Sequence, residues 1–173
     1  NDVKINTTCC DPFNELDHRE MSEHGRQDLY IENMLGFIRK DANTNQRHNV
    51  IITHCTEQKQ VQDRSNQKFY YPAPSPREIA GGQAWYRKAM NLICLWRPPF
   101  GEGWNDVNGI PYAENEVHVI INKYKPKGVG KRGAVKLYFD NHKNRYYEIL
   151  EGEKRYAGKP ILKVEYEPIP YAF

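Results

Sequence analysis

Apolar positions recur along this chain with two different periods, and the change between them outlines its elements. Val3 to Cys10 is a β-prone run that stops at Asp11-Pro12, because proline cannot continue a ladder of backbone hydrogen bonds. Glu15 to Arg26 is charged and aperiodic, as a solvated loop is. From Gln27 to Lys40 the apolar residues Ile31, Met34, Leu35 and Ile38 fall on one stripe, with Asp28 and Glu32 near its start and Arg39 and Lys40 at its end. That spacing predicts a helix lying on a sheet. Asn49 to Cys55 has a continuous apolar centre, the pattern of a buried parallel strand. Strand, helix and strand in this order form a βαβ unit with a right-handed crossover, which brings Asp11 and His54 to the same sheet edge.

Thr56 to Pro76 is long and polar, with cationic patches, the pattern of a loop that is either functional or disordered. Gly81 to Met90 predicts a short helix, and Asn91 to Trp96 another buried strand. After the Gly/Pro/Asn-rich stretch from Pro98 to Pro111, apolar residues alternate through Glu116 to Lys125 and again through Gly133 to Asp140. The short basic linker between them predicts an antiparallel hairpin. Tyr146 to Leu150 and Leu162 to Tyr166 are strand-like, but Pro168 and Pro170 favour an extended arm over residues 151–173, beyond a domain of residues 1–150. The fold class expected is α/β, a mainly parallel sheet with an antiparallel hairpin at one edge.

Composition narrows this picture only modestly. At 173 residues the chain is long enough for one real core, and 25 Lys and Arg against 22 Asp and Glu give a net charge of +3, which permits a polyanionic partner without specifying one. Cys9, Cys10, Cys55 and Cys94 each lie in apolar strand-like runs with no CxxC pair, which predicts reduced core thiols in a cytoplasmic protein without a zinc site. No apolar run reaches membrane-spanning length and no signal peptide opens the sequence, so no membrane partner is expected. The chain opens without Met on an apparent buried strand, as a fragment of a longer protein does.

Two motifs bear on chemistry. Gly128-Val-Gly-Lys-Arg-Gly133 superficially resembles a phosphate-binding loop, but a Walker A motif needs a further Gly separated by four residues from its Gly-Lys pair and Ser or Thr after the Lys. Here those positions hold Lys125 and Arg132, between two strands. Asp11 and His54 are the stronger pair: in nucleotide-hydrolysing α/β sheets a strand-tip carboxylate holds Mg²⁺, and a polar side chain on the next tip senses the γ-phosphate. A turn-forming Asp and a hydrogen-bonded His fit the spacing equally well.

Asp11-Pro-Phe-Asn-Glu-Leu, the helix, Val50-Ile-Ile-Thr-His54, Pro76-Arg-Glu-Ile-Ala-Gly-Gly-Gln-Ala-Trp-Tyr-Arg-Lys-Ala-Met90, the next strand and the Lys123 to Asp140 hairpin together resemble the RecA-like motor domain of DnaB-like and Twinkle-like replicative helicases, most of all phage and mobile-element primase-helicases. The resemblance spans roughly residues 3 to 148. It implies the C-terminal part of a RecA-like P-loop NTPase core. Asp11 then matches the Walker B aspartate and metal holder, and His54 the phosphate sensor. Ile79 to Tyr86 matches the family's "I-S-G-S-A" helix start, with Gly82 at a position that is usually small and polar. Lys123 and Lys125 fall where basic residues reach the neighbouring subunit's nucleotide, with Lys127, Lys131 and Arg132 as rivals because the turn is longer than usual and the family commonly uses Arg there.

The resemblance further implies ATP and Mg²⁺ as cofactors, a ring, commonly a hexamer, and single-stranded DNA in its channel. DNA would be tracked by His18, Arg19 and Arg26 in the first loop and by Lys59, Arg64 and Lys68 in the second. Neither a Walker A loop nor the family's catalytic glutamate occurs in the sequence. That leaves two other readings: a non-catalytic nucleic-acid-binding module derived from such a motor, and a RecA-like ATPase of recombination.

Overall fold

The structure is a computed structural model that describes residues 5–16, 18–19, 25–62, 64, 67, 69–101, 104–126, 128 and 130–158. It is an α/β protein whose described residues fall into two compact units, one of Asn1–Glu57 with Ser75–Leu92 and the other of Gln58–Pro74 with Ile93–Phe173.

In the first unit, β1 (Thr7–Cys10) and β2 (His48–Ile51) pair in parallel, Thr7 opposite His48 through Cys10 opposite Ile51. Helix α1 (Gln27–Asn45) connects them, as the apolar stripe predicts. Its buried face is Ile31 and Leu35, which pack with Phe13, Ala84 and Trp85, while Cys10, Met34 and Ile51 close the edges of this core. The helix runs five residues beyond Lys40, the end its pattern predicts. Its last turn is polar yet held from outside, since Asp41 accepts two hydrogen bonds from Arg47, one from Asn45 and one from Asn49. Gln46 then ends it in a left-handed conformation, its N–H returning to Ala42 O. These bonds hold the Asp41 carboxyl down at about 2, the Arg47 guanidinium contributing most.

A 3₁₀ turn, Pro76–Glu78, leads through Gly81 and Gly82 into the short α2 (Gln83–Lys88). Ser75 and Glu78 cap the turn reciprocally. Gly81 has φ +80°, and a Cβ there would overlap Ile31 Cδ1, so this position needs glycine both for its conformation and for the approach of the helix. A Cβ on Gly82 would lie 2.9 Å from Arg77 O, which explains glycine there as well.

The second unit carries a five-stranded sheet in the order β5 (Leu92–Trp96), β6 (Glu116–Lys123), β7 (Gly133–Asp140), β8 (Arg145–Leu150), β9 (Glu153–Tyr156). The β6–β7 hairpin forms as the alternation predicts, Glu116 opposite Tyr138 through Ile121 opposite Gly133. β7–β8 and β8–β9 are also antiparallel.

This corrects the expectation of a mainly parallel sheet. Among the described residues β1 and β2 pair in parallel, whereas β6 to β9 are antiparallel neighbours, because after β6 each connection is too short for the crossover that parallel neighbours require. The arm expected from residue 151 starts instead as β9, and its remainder from residue 159 lies outside the described residues. The long loop from Thr56 to Pro76 contains a small antiparallel ribbon, β3 (Val61–Gln62) with β4 (Phe69–Tyr70). The strands expected to be fully buried are covered on one face only: Val50 and Ile52 remain 45% and 40% exposed, Cys9 is exposed, and so are Ile93 and Leu95 on β5. All four cysteines are free thiols. Among the described residues no helix is long and apolar enough to cross a membrane.

Candidate functional site

The site is built where β1 and β2 end side by side. Ile52 N donates to Cys10 O at 2.9 Å, the last rung of the parallel ladder, and Asp11 follows at once. Pro12 offers no N–H to extend the strand, so the chain folds into a 3₁₀ turn, Phe13–Glu15. That turn is tied back by Phe13 N–H to Ile52 O at 2.7 Å. It is anchored by the buried Phe13 ring, which meets Trp85 edge-on with centroids 5.2 Å apart. A burial of this kind, a whole phenyl ring, stabilises by roughly 2–3 kcal/mol, enough to fix the turn that carries Asp11. Trp85 is itself oriented by its Nε1–H donating to Ala80 O at 2.8 Å.

Asp11 and His54 are thereby brought to the same end of two adjacent strands, both exposed. Asn14, in the turn that follows Asp11, reaches the chain that carries His54. Its Oδ1 accepts from Thr53 Oγ1 at 2.9 Å and from the His54 backbone N–H at 2.8 Å. No rule of sequence singles out Asn14: an Asn in a turn after Asp-Pro is ordinary turn chemistry, and only the pairing of the strands shows what it reaches.

Among the described residues no group of three or more His, Cys, Asp or Glu side chains gathers as a metal cage. Mg²⁺ bound by one carboxylate, water and nucleotide phosphates needs no such cage. An exposed strand-tip Asp11 fits that donor set.

The cations expected to track nucleic acid separate into different environments. His18 turns inward: Nε2 lies 3.0 Å from Phe13 O and Nδ1 3.1 Å from the Tyr30 hydroxyl. A carbonyl can only accept, so Nε2 carries the proton and Nδ1 accepts from Tyr30. His18 thus links the turn after Asp11 to Tyr30 on α1. Together with Asn14, Gln27, Tyr30 and Thr53 it lines a cavity of about 150 Å³.

Arg26 is exposed but pairs in bidentate fashion with Asp28, which lowers the carboxyl and raises the guanidinium. Arg19 is exposed in the same unit. Lys59 and Arg64 are exposed in the second unit, flanking β3, and Lys68 lies outside the described residues.

Of the proposed trans-acting lysines, Lys123 ends β6 and is only 7% exposed, whereas Lys125 is exposed just beyond it. Lys131 and Arg132 are exposed too, and Lys127 lies outside the described residues.

The second unit holds a polar group that the sequence did not disclose. Glu116 and His118, 3% and 4% exposed, occupy alternate positions of β6. Glu116 Oε1 accepts from His118 Nε2 at 2.5 Å and from Lys136 Nζ at 2.9 Å, and Oε2 from Ala113 N–H at 3.3 Å. Burial alone would raise this carboxyl, but the hydrogen bonds and the lysine charge outweigh it and hold the group at about 2. Trp96 packs edge-on against the His118 ring at 5.1 Å.

The chain matches no protein-family model, no curated protein and no solved structure.

Proposed function

We propose that this chain is the sensor-bearing part of a RecA-like, ATP-driven DNA helicase that works as a ring on single-stranded DNA. The observation that carries this reading is the parallel β1–β2 pair, which delivers Asp11 and His54 to one edge with Asn14 bridging the two tips. In this reading Asp11 organises Mg²⁺ on bound ATP, and His54 reports the γ-phosphate to the chain that follows it. Lys125 stabilises transition-state charge on the neighbouring subunit's nucleotide. Its exposure favours it over the buried Lys123.

The DNA contacts in this reading come from Arg19, Lys59 and Arg64, with Lys68 as a further cation in the same loop. The Walker A loop such a motor requires does not occur in these 173 residues, so in this reading ATP turnover needs a phosphate cradle supplied from outside them.

A second reading, a nucleic-acid-binding module without catalysis, is favoured by the missing Walker A loop and catalytic glutamate. The two share DNA binding and differ in ATP turnover. In the full-length protein, Lys59→Ala with Arg64→Ala should weaken single-strand binding and reduce the slope of log affinity against log salt by about 0.7 for each phosphate no longer neutralised. An unchanged slope returns these residues to ordinary loop charges.

A further inference from the structure

The turn that follows Asp11 reaches the tip of β2 by two routes. One is the backbone bond from Phe13 N–H to Ile52 O, which closes the base of the turn. The other is the side chain of Asn14, whose single oxygen receives both Thr53 Oγ1–H and the His54 N–H. These two donors sit on consecutive residues, so the Asn14 oxygen grips the peptide unit that carries His54. We propose that Asn14 is a positioning residue that makes the Asp11 turn and the His54 tip move as one, so that the state of the metal-bound nucleotide reaches the chain beyond His54. This inference rests on the helicase reading given above.

The geometry makes the coupling direct. A side-chain oxygen held by two donors on consecutive residues follows them more closely than one held by either donor alone. The base of the turn is fixed by Phe13, buried against Trp85, and by His18, which is bonded to Phe13 O and Tyr30. Asp11, the turn after it and the tip of β2 are thereby joined through Phe13 and Asn14 as one connected body. Asn14 also borders the cavity of about 150 Å³ that it shares with Thr53 and Gln27, volume for a few waters and hence for a second side-chain position. Only the acceptor oxygen of Asn14 is used. Aspartate reproduces that function, and leucine of similar size does not.

The experiment compares ATP turnover by the full-length protein with and without single-stranded oligonucleotide, for wild type, Asn14→Leu, Asn14→Asp and Thr53→Val, each checked by thermal melting. The ratio of DNA-stimulated to basal turnover should fall roughly tenfold in Asn14→Leu, within the range of measured coupling between sites. It should fall about threefold in Thr53→Val, which keeps the His54 bond, and return to within about twofold of wild type in Asn14→Asp. A merely structural Asn14 would lower basal and stimulated turnover together and leave the ratio as in wild type; that result overturns the inference while the helicase reading stands. Should Asn14→Leu not fold, Thr53→Val and Asn14→Asp decide: a wild-type ratio in Thr53→Val overturns the inference. Absence of DNA-stimulated turnover in the wild type overturns the helicase reading itself and this inference with it.

Discussion

Replacing Glu116 by Gln should remove a pH-dependent share of the second unit's stability. The Glu116 carboxyl is held at about 2, against an ordinary 4.5, by His118, Lys136 and the Ala113 N–H working against burial. At about 1.4 kcal/mol for each tenfold change in proton affinity, this is about 3 kcal/mol, and about 2 kcal/mol after allowance for the solvent around the half-exposed Lys136. The sign follows from the folded value lying below the unfolded one. The stabilisation is complete above pH 4.5 and is lost as pH falls toward 2, where the carboxyl becomes protonated in the folded state as well. A protonated Glu116 is close in shape and charge to Gln. The difference in unfolding free energy between wild type and Glu116→Gln should therefore be about 2 kcal/mol at pH 7 and shrink toward zero near pH 2. Denaturant unfolding at a series of pH values measures it, followed by the fluorescence of Trp96, which packs on His118. Taking the difference between the two proteins cancels the other lowered carboxyls, Asp28, Asp41 and Asp140. A difference that stays constant from pH 7 to pH 2 would refute the argument and reduce the group to a packing effect.

Two further outcomes follow from the first unit. Gly81→Ala should destabilise it by about 2 kcal/mol or more, because a non-glycine residue at φ +80° is strained and its Cβ displaces Ile31; thermal melting reads this, and an unchanged melting temperature would mean that α2 can move off α1. Purified residues 1–173 should bind no ATP productively and show no turnover, since the sequence holds no Walker A loop to cradle the phosphates. Turnover by that chain would place the phosphate site elsewhere, with the basic Lys125 to Arg132 turn first in line.

What the sequence discloses is what periodicity and proline can carry. The stripe of Ile31, Met34, Leu35 and Ile38 gives α1, Pro12 gives the end of β1, and the alternation from Glu116 to Asp140 gives the β6–β7 hairpin. Hidden from it are features made by contacts distant in sequence. The last turn of α1 looks like a polar break because its stabilising partners, Arg47 and Asn49, lie beyond the helix. Apolar continuity in Val50 to Ile52 and in Leu92 to Trp96 suggests strands covered on both faces, yet composition does not say how many layers are present to cover them. Strand direction fails for the same reason: pattern fixes faces, whereas connection length fixes orientation. At the site, Asp11 and His54 are legible because a strand tip is where a polar residue after an apolar run stands out. Asn14 and the Glu116 group become visible only when the pairing of strands shows what each one touches.

The helicase reading has Asp11 serve a nucleotide-bound metal at the tip of β1. It is tested most directly by ATP turnover of the full-length protein with single-stranded DNA present, comparing wild type with Asp11→Asn. Asparagine keeps the shape of the turn and removes its charge, so turnover should fall by a factor of roughly a hundred or more, in line with the several kcal/mol that metal-assisted charge stabilisation supplies, with thermal melting unchanged. Turnover in Asp11→Asn within a few-fold of wild type would contradict the claim and remove Asp11 from the site.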